Sequence, residues 1–275
     1  MSKAAIEAER LLEDLGLTDL PVKPEEVCQA MTSSSYPITF EVQPMATSAF
    51  HGISMGNARD GATILVNANI ANPHRKRFTA AHEIGHVHLH IQTDLQSQFE
   101  CTSQDISAGE NSNNAYEKEA NAFASSLLMP SSAVSPLVHR NDLTWSLVRE
   151  ISDLCDVSLE AAARRAIALS KECCCLIIHK DGEMWFPVKS RSFSAYLPHQ
   201  AFPQYLERQP DGGTTSPLPD GVDECNFSDW AFPDRVSGKL FYSAIHNAEF
   251  DRTMTLLIHE EEVDDDADEV SEPHF

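Results

Sequence analysis

Phe78-Thr-Ala-Ala-His-Glu-Ile-Gly-His-Val-His-Leu-His90 decides how this chain is read. It contains His82-Glu83-x-x-His86. On a helix, residues four apart lie on one face, one turn above the other. Both imidazoles then point the same way and can grip one metal ion. Glu83, about 100° round from His82, flanks that metal and reaches a water bound to it. Two ligands and a general base in this order are the pattern of a zinc hydrolase. The motif is short and the chain is rich in His and Glu, so the surrounding sequence has to supply the context.

The immediate context is a buried helix. Asn72-Pro73 is a helix start, with Asn as N-cap and Pro in the first helical position. The helix is expected to run to about His90. Phe78, His82, His86 and Leu89 share one face, and Ala80, Ile84 and Val87 the opposite one. A helix apolar on both sides is buried, and buried imidazoles and carboxylates need partners, which a metal supplies. Gly85 costs the helix about 1 kcal/mol relative to Ala, which points to close approach of a neighbouring backbone. His74-Arg-Lys-Arg77 puts positive charge near the helix start, against the macrodipole. It reads as a solvated face, with a docking patch for an acidic substrate segment as the second reading. His88 projects away from the ligand face, and His90 reads as a group behind the ligands or on the surface.

A catalytic zinc takes a third protein ligand and keeps one position open for water. The helix expected over Ala115 to Pro130 offers one. Glu117, Asn121, Ala124 and Leu128 share a face flanked by Ala120, Phe123 and Leu127, whereas Glu119 points about 200° away from Glu117. Alone, both acids read as solvated. Beside the upstream motif, Glu117 reads as the third ligand, Glu119 as the fallback, and Asn121 as a residue that orients a ligand from behind. Tyr116, His51 and His139 are open candidates for steadying an oxyanion. Residues 91 to 114 form a polar connection of the length that is functional or mobile. Cys101 within it reads as a bystander thiol, with a thiolate capping the zinc as the second reading.

Upstream, Ala4 to Leu15 is an amphipathic helix with the stripe Ile6, Leu11, Leu12 and Leu15, and Pro24 to Met31 a short second helix. Ile38 to Val42, Phe50 to Ser54 and Ala62 to Val66 read as strands of a small antiparallel sheet. Downstream, Leu143 to Cys155 and Ser158 to Lys171 are two helices around Asp156-Val157. From Cys173 the pattern turns to strands: Cys175 to His179 and Glu183 to Lys189 around Lys180-Asp-Gly182, then Lys239 to His246 and Thr253 to His259. A Pro/Gly-rich connection, Gln209 to Gly221, lies between the pairs. Trp185, Trp230 and Phe241 read as core.

With 275 residues the chain holds one large domain or two modest ones. A net charge of -22 and a pI of about 4.8 count against a broad basic surface for nucleic acid. Seven cysteines, with Cys173-Cys174-Cys175 adjacent, suit reduced thiols in a cytosolic protein better than a disulfide framework. No secretory signal and no apolar run of membrane-spanning length stands out, so the expected place is the cytoplasm.

Phe78-Thr-x-Ala-His-Glu-x-Gly-His-x-x-x-His90, followed by Glu117-x-Glu-Ala-Asn-x-Phe-Ala-x-x-Leu-Leu-Met-Pro130, resembles the ImmA/IrrE family of bacterial and phage zinc metallopeptidases. Leu20-Pro21-Val22, Ile64-x-Val-Asn67 and Val157-Ser-x-Glu-Ala-Ala-x-Arg164 extend the resemblance over about residues 4 to 170. It implies a zincin-like α+β fold and one catalytic zinc ion on His82, His86 and Glu117, with Glu83 as catalytic glutamate. Glu-x-x-x-Asn stands where thermolysin-like enzymes have Glu-x-x-x-Asp. The resemblance also implies a helix-turn-helix-like segment and a small α+β module, GAF-like and sensory, after the peptidase domain. The expected organisation is a metallopeptidase domain over 1–130, a helical segment over 131–172, the α+β module over 173–259, and an acidic, disordered tail over 260–275.

By the same resemblance, the activity is a narrow-specificity endopeptidase. Its protein substrate is a transcriptional repressor with a helix-turn-helix domain, cleaved to release a stress, phage or mobile-element programme. Two other readings stand beside it. One is a non-proteolytic metal-binding partner, antitoxin-like or adaptor, whose site is closed by a fourth protein ligand. The other is a DNA-binding regulator. The few basic residues of the helical segment (Arg149, Arg164, Arg165, Lys171) and the acidic charge count against it.

Overall fold

Helix α1 (Lys3–Leu15) begins where Ser2 caps the Ala5 amide and ends on Gly16, whose φ of 66° is the left-handed turn glycine favours. Its buried face keeps Leu11 and Leu12 of the expected stripe but takes alanines in place of Ile6. Ala4, Ala5, Ala8, Leu11 and Leu12 are buried, and Ile6 is 52% exposed. Alanines let helices approach closely, and that packing overrides side-chain size. A computed structural model describes residues 1–45, 47, 49–102, 104–105, 114–180, 183–194, 222–230, 237–247 and 252–261. These residues divide into two units, Met1–Leu137 with Arg149–Arg165, and Val138–Val148 with Ala166–Phe275.

In the first unit, α2 (Pro24–Met31) leads into β1 (Ile38–Gln43), β2 (Phe50–Asn57) and β3 (Gly61–Asn67). The sheet order is β1-β3-β2-β4, with β4 at Gln98–Thr102. This corrects the antiparallel expectation: β1 pairs with β3 in parallel, and only β2 is antiparallel to its neighbours. The cause lies at the end of β3. The Asn67 amide donates to the carbonyls of Thr47 and Phe50 and accepts from the Met45 amide, so it pins the segment that carries the chain from β1 past β3 to β2. The fourth strand is a second correction, because the polar connection after the metal helix contains it.

Helix α3 (Pro73–His86) starts on the Asn72 cap, which accepts from the Arg75 amide at 2.9 Å, and continues as a π-helical turn over Val87–Ile91. It packs on α4 (Ala115–Leu128), where a Cβ on Gly85 would meet Phe123 Cδ1 at 3.1 Å and Ala120 Cα at 3.3 Å. The close approach expected at Gly85 is that of α4. The basic start of α3 is tied down: Arg77 bonds the Asp156 carboxylate and the Val22 carbonyl, His74 lies 3.5 Å from Asp156, and Lys76 donates to the Ala68 carbonyl. Helices α5 (Ser131–Arg140), α6 (Trp145–Cys155) and α7 (Leu159–Leu169) follow. Arg165 is 7% exposed and bonds Glu9 and the Met129 carbonyl, so it serves packing inside its unit.

The second unit holds an antiparallel sheet of order β6-β5-β9-β8-β7, with β5 Cys173–Lys180, β6 Glu183–Lys189, β7 Asp223–Cys225, β8 Lys239–Asn247 and β9 Arg252–Glu260. Both expected strand pairs are present. Cys175, Ile177, Trp230, Leu240, Tyr242 and Leu257 are among its core residues, whereas Phe241 is half-buried. All seven cysteines are free. Within the Gln209 to Gly221 connection and the 260–275 tail, only 260 and 261 are described. Asp181-Gly182 and the Trp185 side chain also lie outside the described residues. No helix among them is long and apolar enough to cross a membrane.

Candidate metal centre

His82 and His86 sit one turn apart on the fully buried part of α3, as their spacing requires. Helix α4 brings Glu117 up to them from the other side. Its Oε2 lies 3.1 Å from His82 Nε2 and its Oε1 3.4 Å from His86 Nε2, and the two Nε2 atoms are 3.0 Å apart. Strand β4 adds the Cys101 Sγ, 3.2 Å from His82 Nε2. All four donor atoms lie within 4.8 Å of one another, and all four residues are buried.

The proton on the His82 ring can be assigned from its partners. Asn121 Nδ2 donates to the Asp105 carbonyl at 3.0 Å, which turns Asn121 Oδ1 toward His82 Nδ1, also at 3.0 Å. Oδ1 only accepts, so Nδ1 carries the proton and Nε2 presents a lone pair to the cluster. A lone pair, a carboxylate and a sulfur converging without a cation repel one another. Two imidazoles and a carboxylate are a donor set that suits zinc. The residues present therefore fit a metal ion.

The electrostatics agree. Burial works to raise the Glu117 pKa, but the His82 and His86 rings against its oxygens prevail and hold it well below the usual carboxylate range. Burial likewise pushes His86 down to about 3, so it presents a neutral ring. Burial, with the carboxylates of Glu83 and Glu117 beside it, pushes the Cys101 thiol far up.

Glu83 is fully buried against β2. Neither of its oxygens has a hydrogen bond of normal geometry among the described residues. Burial raises its pKa to about 7, against the lowering pull of His82, Cys101 and Ser54. A Cβ on Gly52 would come within 2.2 Å of Glu83 Oε1, so the glycine is what gives this carboxylate room. A buried acid left unbonded is costly, and it is the feature expected of a group whose partner arrives with a substrate or a water.

Residues 38–166 match the family described as Peptidase_M78, the IrrE N-terminal-like domain. This segment belongs to that peptidase family. Curated relatives include the radiation response metalloproteases IrrE of Deinococcus radiodurans and Deinococcus deserti. Each is 34% identical over 110 residues, which is 38% of this chain and 32% and 37% of theirs. The match thus spans about a third of the length of those relatives. A solved structure of a Mycobacterium tuberculosis transcriptional regulator aligns with a TM-score of 0.49 at 14% identity, over 94% of this chain and 88% of that one. That likeness is too low to establish a common fold.

The remaining residues singled out in the sequence fall in different places. Glu119 is outside the donor cluster, and its Oε2 is 3.0 Å from His90 Nε2. Tyr116 packs its ring on His90 at 4.8 Å. His51 lies on β2 next to Gly52, with a buried Nδ1 that has no partner among the described residues. His139 belongs to the second unit, where its Nε2 is 3.1 Å from the Leu169 carbonyl. Cys101 joins the cluster, where the second of its two sequence readings, a thiolate on the metal, would put it. The signal that could have placed it is the alternation Gln98, Phe99, Glu100, Cys101, whose burial runs exposed, buried, exposed, buried.

Proposed function

We propose that this chain is a zinc-dependent endopeptidase of narrow specificity, with His82, His86 and Glu117 as metal ligands and Glu83 as general base. The observation that carries the reading is the convergence of three ligand atoms beside a buried, unbonded carboxylate. Zinc at that point would supply a Lewis acid and a water acidified toward neutral pH. Glu83 would take a proton from the attacking water and return it to the leaving amine, and its pKa near 7 suits both transfers. Asn121 holds His82 in the tautomer a ligand needs. Tyr116 and His51 are the candidates within the first unit for steadying the developing oxyanion.

The substrate that goes with this reading is a cytoplasmic transcriptional repressor with a helix-turn-helix domain, cut to induce a stress, phage or mobile-element response. The match of residues 38–166 to a peptidase family supports a protein substrate, and the radiation-response role of the Deinococcus metalloproteases supports a stress programme. The matching organisation is a peptidase domain over 1–130, a helix-turn-helix-like segment over 131–172, a GAF-like sensory module over 173–259 and an acidic tail over 260–275. The test is incubation of zinc-loaded protein with a repressor encoded beside it, against Glu83→Gln. Wild type should cleave at least about 100-fold faster. Equal rates, with metal bound in both, would overturn the assignment for that substrate.

One observation favours a second reading, a structural metal site in an interaction protein. Cys101 Sγ stands where a fourth ligand would close the centre. A bound cation would offset the burial that keeps this thiol protonated. Cobalt substitution separates the two. A thiolate charge-transfer band that vanishes in Cys101→Ala, with no cleavage by either protein, supports the closed site. Absence of the band supports the open, hydrolytic one.

A further inference from the structure

We propose that His90 and Glu119 form a positioning pair that sets the tautomer and ring orientation of His86 for the metal. The inference rests on the metal-centre reading above and adds two residues to it that no ligand or base role uses. His90 is fully buried on the π-helical turn. Its Nε2 is 3.0 Å from Glu119 Oε2, and its Nδ1 is 3.1 Å from His86 Nδ1.

The protons along this line can be assigned in order. An ionised carboxylate only accepts, so the proton between Glu119 and His90 is on His90 Nε2. A neutral imidazole with its proton on Nε2 has a lone pair on Nδ1. The short contact between the two Nδ1 atoms then requires the proton of His86 on its own Nδ1, which leaves His86 Nε2 bare. That is the atom lying 3.4 Å from Glu117 Oε1 and 3.0 Å from His82 Nε2. Between Glu119 and His86, reversing either proton would set two lone pairs or two N–H groups against each other, and the bare Nε2 atoms of His86 and His82 are left facing the point where the metal would sit.

The geometry has a local origin. In an α-helix, residue i+4 overshoots residue i by about 40°. The wider π turn after His86 winds less per residue and takes back part of that overshoot. Phe99 of β4 then covers both rings, stacked on His86 at 4.0 Å and 17° and lying 5.3 Å from His90. Tyr116 closes the outer side of His90 at 4.8 Å. The Glu119 side chain is 52% exposed, so the anion at the far end stays solvated and the buried part of the line carries no net charge. The two ligand histidines are thus held by different devices: His82 by a neutral amide fixed to a backbone carbonyl, and His86 by an imidazole fixed to a carboxylate.

Zinc affinity of the full chain, read by chelator competition, tests this together with the tautomer of His86 read by nitrogen NMR in the metal-free protein. His90→Phe keeps the packing and removes the acceptor. It should weaken zinc binding about 10–100-fold, and the His86 proton should no longer be confined to Nδ1. Glu119→Ala should weaken binding in the same direction. Glu119→Gln still offers an accepting oxygen and should stay within about 3-fold of wild type, a rescue that a purely structural role would not give. The proposal is overturned if folded His90→Phe binds zinc as tightly as wild type, or if Glu119→Gln loses as much as Glu119→Ala. It is also overturned if wild-type His86 carries its proton on Nε2. If the wild type binds no zinc, the metal-centre reading falls by itself, and the His86 tautomer in the metal-free protein decides the pair.

Discussion

The two units treat their buried polar groups in opposite ways. In the first, Asn121, His82, Glu117, His86 and His90 meet side chain to side chain in a continuous line that no backbone ladder requires. In the second, three buried polar side chains bond instead to backbone groups. Ser190 donates to the Glu172 carbonyl and accepts from the Cys174 amide, His259 Nε2 lies 2.8 Å from the Ser237 carbonyl, and Trp145 Nε1 donates to the Ser243 carbonyl. Burial of polar groups is common to both. Convergence of their lone pairs on one point belongs to the first, and that separates a site from a core with scattered polar groups.

This contrast can be broken from either side by removing packing. Phe123→Ala should have the largest effect. Phe123 is fully buried on α4 against Gly85 of the metal helix, and its loss should cost about 3–5 kcal/mol. Because it sets the spacing of α3 and α4, zinc affinity should fall as well, measured by chelator competition beside denaturant unfolding. Ile177→Ala, in the core of the second unit, should cost about 3 kcal/mol. Zinc stoichiometry and affinity of the folded protein should not change. If the two variants lose zinc to the same degree, the line of side chains is not a property of the first unit.

A smaller change sharpens the contrast without touching packing. Asn121→Ala removes the acceptor of the His82 proton. Zinc affinity should fall about 10–100-fold, which is about 1.4–2.7 kcal/mol, while the metal-free protein melts within a few degrees of wild type. Unchanged affinity would mean that His82 chooses its tautomer without help.

Much of this line was legible from periodicity and capping. Asn72-Pro73 marks the start of α3, the spacing of four puts His82 and His86 together, and Glu117 and Asn121 share a face of α4. What was not legible came from contacts between segments distant in sequence. The parallel pairing of β1 goes with the Asn67 side chain bonding the segment between β1 and β2, which lies well before it in sequence. The buried face of α1 follows its alanines because α4 approaches closely. Cys101 enters the cluster only through β4, a strand whose two inward residues lie among Gln, Glu and Thr. His90 and Glu119 meet because of a π turn that no local composition announces.

The smallest expected effect concerns charge held outside the buried line. The basic start of α3 reads from sequence as a solvated face or a docking patch, yet Arg77 and His74 both engage Asp156. Asp156 has φ of 51°, a left-handed conformation that Asn tolerates as well as Asp does. Asp156→Asn therefore removes the charge and leaves the turn. The Asp156 side chain is 55% exposed, and Arg77 keeps its bond to the Val22 carbonyl. The loss should be no more than about 1 kcal/mol, and it should shrink as salt is raised, since exposed charges are screened. A loss of several kcal/mol, insensitive to salt, would mean that Arg77 depends on this carboxylate as the ligand histidines depend on their partners. The difference between a polar line that needs its every member and a surface pair that does not would then disappear.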